Sequence, residues 1–274
     1  MRTFIDFHVH PPVAEFVEGP VAPFDVGLDV LTAVDVADHY RRRDGRAVIL
    51  GLDTVSTTRH RPFSSEDVAE IVASDQSIFI GFGSVDPAMG AKAVAGVHEA
   101  ARLGLAGLAF DPVAQAFDPA ERSTHTLWAN ASDHGLIVLF HTGISRLGRG
   151  LPGGAGLRLS HGDPRGVDVV ASLYPDLRVV MAHNGGLWRQ EALAVASHKQ
   201  NVWLSLIGAP AAEYATVFDD SASMLDTDKA LFGSGWAFAD LDEQLKEWEL
   251  ADDRLRHRVL YENAERLLGI GSDS

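Results

Sequence analysis

Hydrophobic positions along the chain fall into short apolar runs that alternate with longer stretches of helical periodicity. Eight runs of four to eight residues predict strands, and several are continuously apolar, as at 179–182, which is Val-Val-Met-Ala. Continuous apolar runs are typical of parallel strands that are covered on both faces. The predicted strands are Thr3–His8, Ala47–Leu52, Ile78–Val85, Gly107–Phe110, Leu136–His141, Arg178–His183, Val202–Leu206 and Ala230–Gly235.

The segments between these runs have apolar residues at helical spacing and carry start and stop signals for helices. Ser64 or Ser65 is expected to cap a helix, because a serine side chain accepts a hydrogen bond from the first turn. Three arginines before Asp44 and Gly45 are a helix stop signal. The predicted helices are Val30–Arg43, one that opens at 64–67, Pro87–Leu103, Ala120–His134, Arg165–Leu173, Gly186–His198, Asp240–Leu250 and Asp252–Leu268.

The alternation of strands and helices implies parallel strands that are joined by right-handed crossovers. Eight such units in 274 residues predict one α/β domain over 1–274, closed as a (β/α)8 barrel of the TIM type, which takes ~250 residues. An open, doubly wound sheet is the alternative. Such a sheet usually has fewer strands and carries a glycine-rich phosphate loop after its first strand, and no such loop follows Thr3–His8.

Composition indicates which partners are disfavoured and which residue types could hold a metal. The net charge of −15 disfavours binding to nucleic acid and to anionic membranes. No signal-peptide pattern is visible, and no apolar run approaches the ~20 residues of a membrane helix. The chain has no cysteine, so a metal would be held by histidines and carboxylates. We therefore expect a cytoplasmic protein with a small-molecule substrate, and without nucleic-acid or membrane partners.

Four histidines lie at the ends of predicted strands. His8 and His10 are two residues apart at the end of the first strand, so their side chains point the same way. His141 and His183 end two later strands, and catalytic residues of such barrels come from the C-terminal ends of the strands. One His-x-His pair is more often solvated or packed in a core. Four histidines at three strand ends are hard to explain by packing, and neutral imidazoles so placed can bind a metal ion.

The chain resembles the amidohydrolase superfamily, in the branch that includes aminocarboxymuconate semialdehyde decarboxylase, resorcylate decarboxylases and pyrone-dicarboxylate lactonase. The resemblance implies one divalent metal, zinc or alternatively manganese, held by His8, His10 and His141. It also implies that His183 is the catalytic acid or base, and that the chain forms a homodimer as relatives often do. The segments that carry the resemblance are Asp6–His10, Gly107–Pro119, Leu139–Gly143, Tyr174–Gly186, Leu231–Phe238 and Tyr261–Ala264.

The sequence departs from the family pattern at two strand ends. The family ends strand eight with an aspartate that ligates the metal or activates water, and this chain has Gly235 there. The family often carries lysine and histidine in its strand-four motif, where this chain has Ala109 and Asp111. Three explanations stay open: catalysis was lost or rewired, another carboxylate such as Asp111 is used as a catalytic residue, or Gly235 is a substitution that disables the enzyme.

Several further residues are predicted to contact the substrate. Arg59 and Arg61 follow strand two, and Arg146 lies in a long glycine-rich loop at 143–162. A planar guanidinium matches a carboxylate in two hydrogen bonds, so these arginines are candidates for substrate binding. Trp236 follows strand eight and either forms a wall of the pocket or packs in the core.

The function predicted first is a metal-dependent hydrolase of a small organic acid, lactone or amide. Metal-bound water is the nucleophile in this scheme and His183 moves the proton. One alternative is a nonoxidative decarboxylase of an aromatic or unsaturated carboxylic acid. The other is a catalytically degenerate barrel that only binds a ligand, which Gly235 favours.

Overall fold

Eight parallel strands follow one another in chain order around a single sheet. The structure is a computed structural model that describes residues 3–24, 26–207 and 227–270. The eight predicted strands are all present, and the predicted (β/α)8 barrel is confirmed. The strands are β1 (Phe4–Val9), β2 (Gly45–Leu50), β3 (Phe79–Gly83), β4 (Gly107–Phe110), β5 (Ile137–His141), β6 (Val179–Ala182), β7 (Val202–Leu206) and β8 (Ala230–Phe232).

The seam between β1 and the segment after β8 closes the barrel. The backbone N–H of Gly235 donates to the His8 carbonyl at 3.1 Å, and that of His10 donates to the Trp236 carbonyl at 2.7 Å. Beneath this seam lies the fully buried carboxylate of Asp6.

Asp6 joins three parts of the barrel. Its carboxylate accepts hydrogen bonds from the backbone N–H groups of His8 and Ser234, at 3.1 and 2.9 Å, and from the hydroxyl groups of Ser234 and Tyr40. Burial raises the pKa of Asp6 to about 6, although these hydrogen bonds oppose the rise. The carboxylate therefore holds β1, the end of β8 and the first long helix together.

Eleven α-helices surround the sheet in the described part of the chain. Ser64 caps its helix by accepting from the backbone N–H of Asp67 at 3.2 Å, as predicted. None of the described helices is long and apolar enough to cross a membrane. They are α1 (Ala14–Val17), α2 (Ala33–Arg41), α3 (Val55–Thr58), α4 (Ser65–Ser74), α5 (Ala91–Arg102), α6 (His125–Asp133), α7 (Pro164–Leu173), α8 (Arg189–His198), α9 (Leu241–Glu249), α10 (Asp253–His257) and α11 (Asn263–Leu268).

Several predicted helices are shorter or interrupted in the structure. The segment Pro87–Leu103 is divided at Gly90, whose left-handed backbone (φ 56°) ends a 3₁₀ turn before α5 begins. The segment Asp252–Leu268 contains a π-helical turn at Arg258–Glu262 between α10 and α11. The short helices α1 and α3 lie in the loops after β1 and β2 and were not predicted.

Successive side chains along each strand point to opposite faces of the sheet, and the buried apolar ones form two separate clusters. One cluster, which includes Ile5, Leu139 and Val180, fills the interior of the barrel, and a larger one packs between the sheet and the helices. Residues two apart on a strand point to the same side, so His141 faces the interior like Leu139. The barrel thus directs the end of β5 into its mouth.

Asp6→Ala leaves four buried donors without an acceptor. We expect it to lower the free energy of unfolding by at least about 3 kcal/mol, because each unsatisfied buried donor carries its full desolvation penalty. Urea denaturation at pH 7.5 measures this loss. Tyr40→Phe is the matched control, which removes a single donor from the same carboxylate and should cost about 1 kcal/mol. Equal losses in the two variants would contradict this role for Asp6.

Candidate functional site

The four predicted histidines meet at the C-terminal mouth of the barrel. The Nε2 atom of His10 lies 3.0 Å from Nε2 of His8 and 3.2 Å from Nε2 of His141. His183 completes the group, with its ring centroid 4.8 Å from that of His8 and 5.2 Å from that of His141. One ring-nitrogen atom from each of His8, His141 and His183 also lies within 4.8 Å of the other two. The strand ends therefore bring all four imidazoles to one point.

A backbone contact fixes which nitrogen of His141 faces this point. Its Nδ1 atom lies 3.3 Å from the carbonyl oxygen of Phe110, at the end of β4. A carbonyl only accepts hydrogen bonds, so Nδ1 carries the proton and Nε2 keeps its lone pair. This is the arrangement in which a histidine binds a metal, with its other nitrogen held by a hydrogen bond.

Two tight turns bring His141 and His183 together. His183 has a left-handed backbone (φ 61°), which ends β6 at Ala182. Gly143, two residues after His141, also has a positive φ of 87°, and a Cβ atom there would lie 2.7 Å from the backbone of Gly185 and Gly186. Only glycine at 143 allows this close approach of the loops after β5 and β6.

Burial keeps the imidazoles neutral. It lowers the pKa of His141 to about 4 and that of His183 to about 3, and in His183 the charge of His141 adds to the effect. Burial also holds the pKa values of His8 and His10 well below the usual value, and the neighbouring histidines lower them further. Neutral imidazoles are the form that binds metal ions.

The geometry of the group fits a single metal ion. Two nitrogens that are each ~2.1 Å from one ion in tetrahedral or octahedral geometry lie ~3.0–3.4 Å apart, and the two Nε2–Nε2 distances at His10 are 3.0 and 3.2 Å. Both Nε2 atoms of such a pair cannot be donors, and a shared cation satisfies their lone pairs. His8 and His141 belong to every candidate ligand set, whereas the division of roles between His10 and His183 stays a prediction.

A cavity of about 590 Å³ opens above the histidines. Three further predicted positions, Asp111, Arg146 and Gly235, line it together with the four histidines. Other lining residues were not predicted as site residues, because single apolar or basic side chains away from the strand ends carry no spacing signal. These include Phe16, Phe24, Phe238, Leu28 and Arg149.

Aromatic rings form one side of this cavity. The ring of Phe16 stacks on the imidazole of His10 at a centroid distance of 5.4 Å, and Phe238 meets the same imidazole edge-on at 5.6 Å. Arg146 lies on the loop after β5, and its positive charge lowers the pKa of His183. The cavity thus combines an aromatic wall, a cationic rim and a histidine floor.

Two arginines that were predicted to bind substrate lie outside the cavity. Arg59, at the C-terminal end of α3, is exposed and does not line the cavity. Arg61 forms an ion pair with Asp67, in the first turn of α4, which directs its side chain away from the mouth. These placements give no support to substrate binding by either arginine.

Trp236 packs in the core and does not form a wall of the cavity. Its ring stacks on His39 at 4.5 Å and meets Tyr40 edge-on at 5.8 Å. The residues on either side of it, Gly235 and Ala237, line the cavity instead. The chain direction after β8 therefore turns the indole ring towards α2.

Gly235 lies at the mouth as predicted, and its backbone is left-handed (φ 74°). A Cβ atom at this position would lie 3.2 Å from Cγ2 of Ile207. The conformation favours glycine, so an aspartate here would carry backbone strain in addition to a tight contact. The local backbone conformation therefore favours the glycine that is present over an aspartate.

A parallel-stranded barrel with histidines at its C-terminal mouth defines a class of metal-dependent enzymes. The sequence profile of the amidohydrolase family matches residues 5–270, and the chain belongs to this family. It is therefore an enzyme of the amidohydrolase type, either a hydrolase or a decarboxylase. No curated protein matches the sequence.

Solved structures share the whole fold at low sequence identity. An uncharacterized TIM-barrel protein from Bordetella bronchiseptica is 24% identical, with a TM-score of 0.77 over 97% of this chain and 98% of its own. The 5-carboxyvanillate decarboxylase of Sphingomonas paucimobilis is 14% identical, with a TM-score of 0.67 over 98% and 99%. A dihydroxybenzoic acid decarboxylase from Polaromonas, with bound manganese and 2-nitroresorcinol, is 17% identical, with a TM-score of 0.67 over 98% of each chain.

The neutral histidine group predicts a stability that falls in acid when metal is absent. Unfolded histidines take up protons near pH 6.5, whereas His141 and His183 do so only near 4 and 3 in the folded state. Protons therefore favour unfolding as the pH drops from about 7 to 4.5, by about 1.4 kcal/mol per pH unit for each proton. Burial raises the pKa values of Asp6, Asp53 and Asp111, and these carboxyl groups work in the opposite direction. They are three groups against the four histidines of the mouth and His39, in which burial lowers the pKa to about 4.

Urea denaturation between pH 7.5 and 4.5, with a chelator present, measures this dependence. We expect the free energy of unfolding to decrease steadily over this interval. His141→Gln removes one of the shifted groups and should make the decrease shallower. A free energy of unfolding that stays constant over the interval would contradict the neutral, buried state of the histidines.

Proposed function

We propose that this enzyme is a metal-dependent, nonoxidative decarboxylase of a small aromatic carboxylic acid. One observation supports the proposal: closely spaced histidine nitrogens, two arginines and a wall of aromatic rings face a single cavity of about 590 Å³. This volume is within the ~300–1,000 Å³ of small-molecule sites.

His8, His10 and His141 would hold the ion, with His183 beside them. A divalent cation at this position supplies Lewis-acid stabilisation of negative charge that develops on the substrate. Manganese and zinc both accept imidazole ligands. Burial lowers the pKa values of these three histidines, so they remain neutral over the physiological pH range and their ring nitrogens stay available to an ion.

Arg146 and Arg149 would bind an anionic group of the substrate. Both line the cavity, and neither forms an ion pair with any other residue in the described ranges. An unpaired guanidinium at a pocket rim is well suited to a carboxylate or phenolate. Phe16 and Phe238 offer the opposite surface, on which a planar ring can stack.

The names of two structural neighbours agree with this substrate class. Decarboxylases of 5-carboxyvanillate and of dihydroxybenzoic acid share the fold over nearly their whole length. At 14% and 17% identity, these structures show only a shared fold. The substrate class is therefore proposed from the residues that line the cavity. Decarboxylation was the first alternative in the sequence analysis, and the aromatic and basic lining of the cavity supports it over hydrolysis.

Hydrolysis of a lactone or amide is the second candidate. The observation in its favour is that Asp111 and His183 line the same cavity and influence each other's pKa, because a carboxylate near an imidazole can help it take a proton from water. The missing carboxylate at Gly235 weakens this candidate, since it leaves the strand-eight position without a base.

The direct test is turnover by protein that has been stripped and then loaded with manganese or zinc. We expect loss of the carboxyl group as CO₂ from 5-carboxyvanillate, a dihydroxybenzoate or a close analogue, measured by chromatography and by CO₂ release. A panel of lactones and amides serves as the comparison. Turnover of that panel without decarboxylation of any aromatic acid would replace the proposal with hydrolysis.

Arg146→Gln should raise KM by about tenfold or more with a smaller change in kcat, because the lost charge-assisted hydrogen bond contributes about 1.5–3 kcal/mol. Steady-state kinetics on the preferred acid measure the split. Arg158→Gln is the matched control, since Arg158 is exposed on the same loop and does not line the cavity. Equal effects of the two variants would contradict a role of Arg146 in binding.

A further inference from the structure

The strand-eight position of this chain has no side chain that can serve catalysis. Gly235 lines the cavity, and its left-handed backbone (φ 74°) is held by the hydrogen bond from its N–H to the carbonyl of His8. The backbone conformation at position 235 therefore favours glycine. A reaction that needs a proton donor must take the proton from another part of the mouth.

Asp111 is the one carboxylate that lines the cavity among the residues the structure describes. It follows β4 directly, is 7% exposed, and its Oδ1 atom accepts a hydrogen bond from the backbone N–H of Ala114 at 2.9 Å. No arginine or lysine of the described ranges pairs with it. A buried, unpaired carboxyl group at a cavity wall is costly for stability and is typical of functional sites.

Gln115 holds the Asp111 turn in place. Its Oε1 atom accepts from the backbone N–H of Asp111 at 2.9 Å, and its Nε2 atom donates to the carbonyls of Asp53 and Val85 at 2.8 and 2.9 Å. Gln115 is itself 2% exposed. One amide therefore ties together the chain just beyond β2, β3 and β4, which fixes the position from which Asp111 faces the cavity.

We propose that Asp111 is the catalytic proton donor of this chain, taking the place of the strand-eight carboxylate, and that Gln115 is its positioning residue. In the step, the bond from the ring carbon to the carboxylate breaks and its electron pair stays on the ring carbon. That carbon takes the proton of the Asp111 carboxyl group, and CO₂ leaves. The Asp111 carboxylate regains a proton from cavity water. This inference rests on the proposed decarboxylation.

Electrostatics agree with a carboxyl group that can hold a proton. Burial raises the pKa of Asp111, against the hydrogen bond from Ala114 and the charge of His183. A donor with a raised pKa remains protonated closer to neutral pH than an exposed aspartate, which brings it nearer to the working pH of an enzyme.

The test compares metal-loaded wild-type protein with Asp111→Asn, Asp111→Glu, Gln115→Met and Asp86→Asn. Asp86 is the matched control: it is 1% exposed and caps a 3₁₀ turn through Ala88, but it does not line the cavity. We expect Asp111→Asn to retain its metal and to lose kcat by about 100-fold or more, with a smaller change in KM. Asp111→Glu should recover part of the activity, and Asp86→Asn should keep kcat within about threefold of wild type.

The pH profile separates positioning from a merely structural role. In wild type, kcat should fall as Asp111 loses its proton with rising pH. Gln115→Met should shift this limb, whereas a variant that is only less stable lowers the amount of active enzyme and leaves the limb in place. An unshifted limb in Gln115→Met would overturn the role of Gln115, and kcat of Asp111→Asn within about threefold of wild type would overturn that of Asp111.

Binding of 2-nitroresorcinol distinguishes failure of the proposed function from failure of the role assigned to Asp111. If wild type decarboxylates no acid, the proposed function fails, and calorimetry with this compound still decides whether Asp111 contacts a bound ring. A change in affinity of about tenfold between wild type and Asp111→Asn supports the contact, and equal affinities contradict it. Wild-type protein that neither turns over an acid nor binds the compound contradicts both proposals.

Discussion

The convergence of four neutral imidazoles at the barrel mouth is the constraint on which the rest of the structure depends. The Nε2 atoms of His8 and His141 lie 3.0 and 3.2 Å from Nε2 of His10, and at most one atom of each pair can donate a hydrogen bond to the other. A shared cation would stabilise such a group, because it accepts the lone pairs of all its ligands. The hydrogen bond from His141 to Phe110, the left-handed backbone of His183 and the glycine contact at Gly143 all hold the imidazoles in this arrangement.

The barrel supplies this constraint through its strand ends and its seam. Because β1 must pair with the segment after β8, the backbone of His8 and His10 is fixed by Gly235 and Trp236. The Asp6 carboxylate joins the same two segments from below. His8 and His10 are therefore attached to the hydrogen-bonded seam of the barrel, while Arg146 and the aromatic residues of the cavity belong to the surrounding loops. The residues that would contact the substrate therefore lie on loops, whereas the histidines lie at the ends of strands.

Much of this could be predicted from the sequence, because periodicity and strand-end motifs are local signals. The eight strands, the confirmed cap at Ser64 and the meeting of His8, His10, His141 and His183 all follow from such patterns. The interruption at Gly90 and the helices α1 and α3 could not be predicted, since turn geometry and short loop helices leave weak periodicity. Substrate-facing residues were the least predictable: Arg61 is paired with Asp67 and Trp236 packs against His39, and only the folded chain determines those contacts.

The measurement that tests the central claim most directly is the metal content of the purified protein, taken by elemental mass spectrometry after any affinity-column metal has been removed. A metal site at these histidines predicts about one divalent ion per chain, lost in a His8→Ala, His141→Ala double variant that still shows the far-ultraviolet circular dichroism of a folded barrel. A wild-type protein that contains no metal and does not take up added manganese or zinc would contradict a metal site at these histidines.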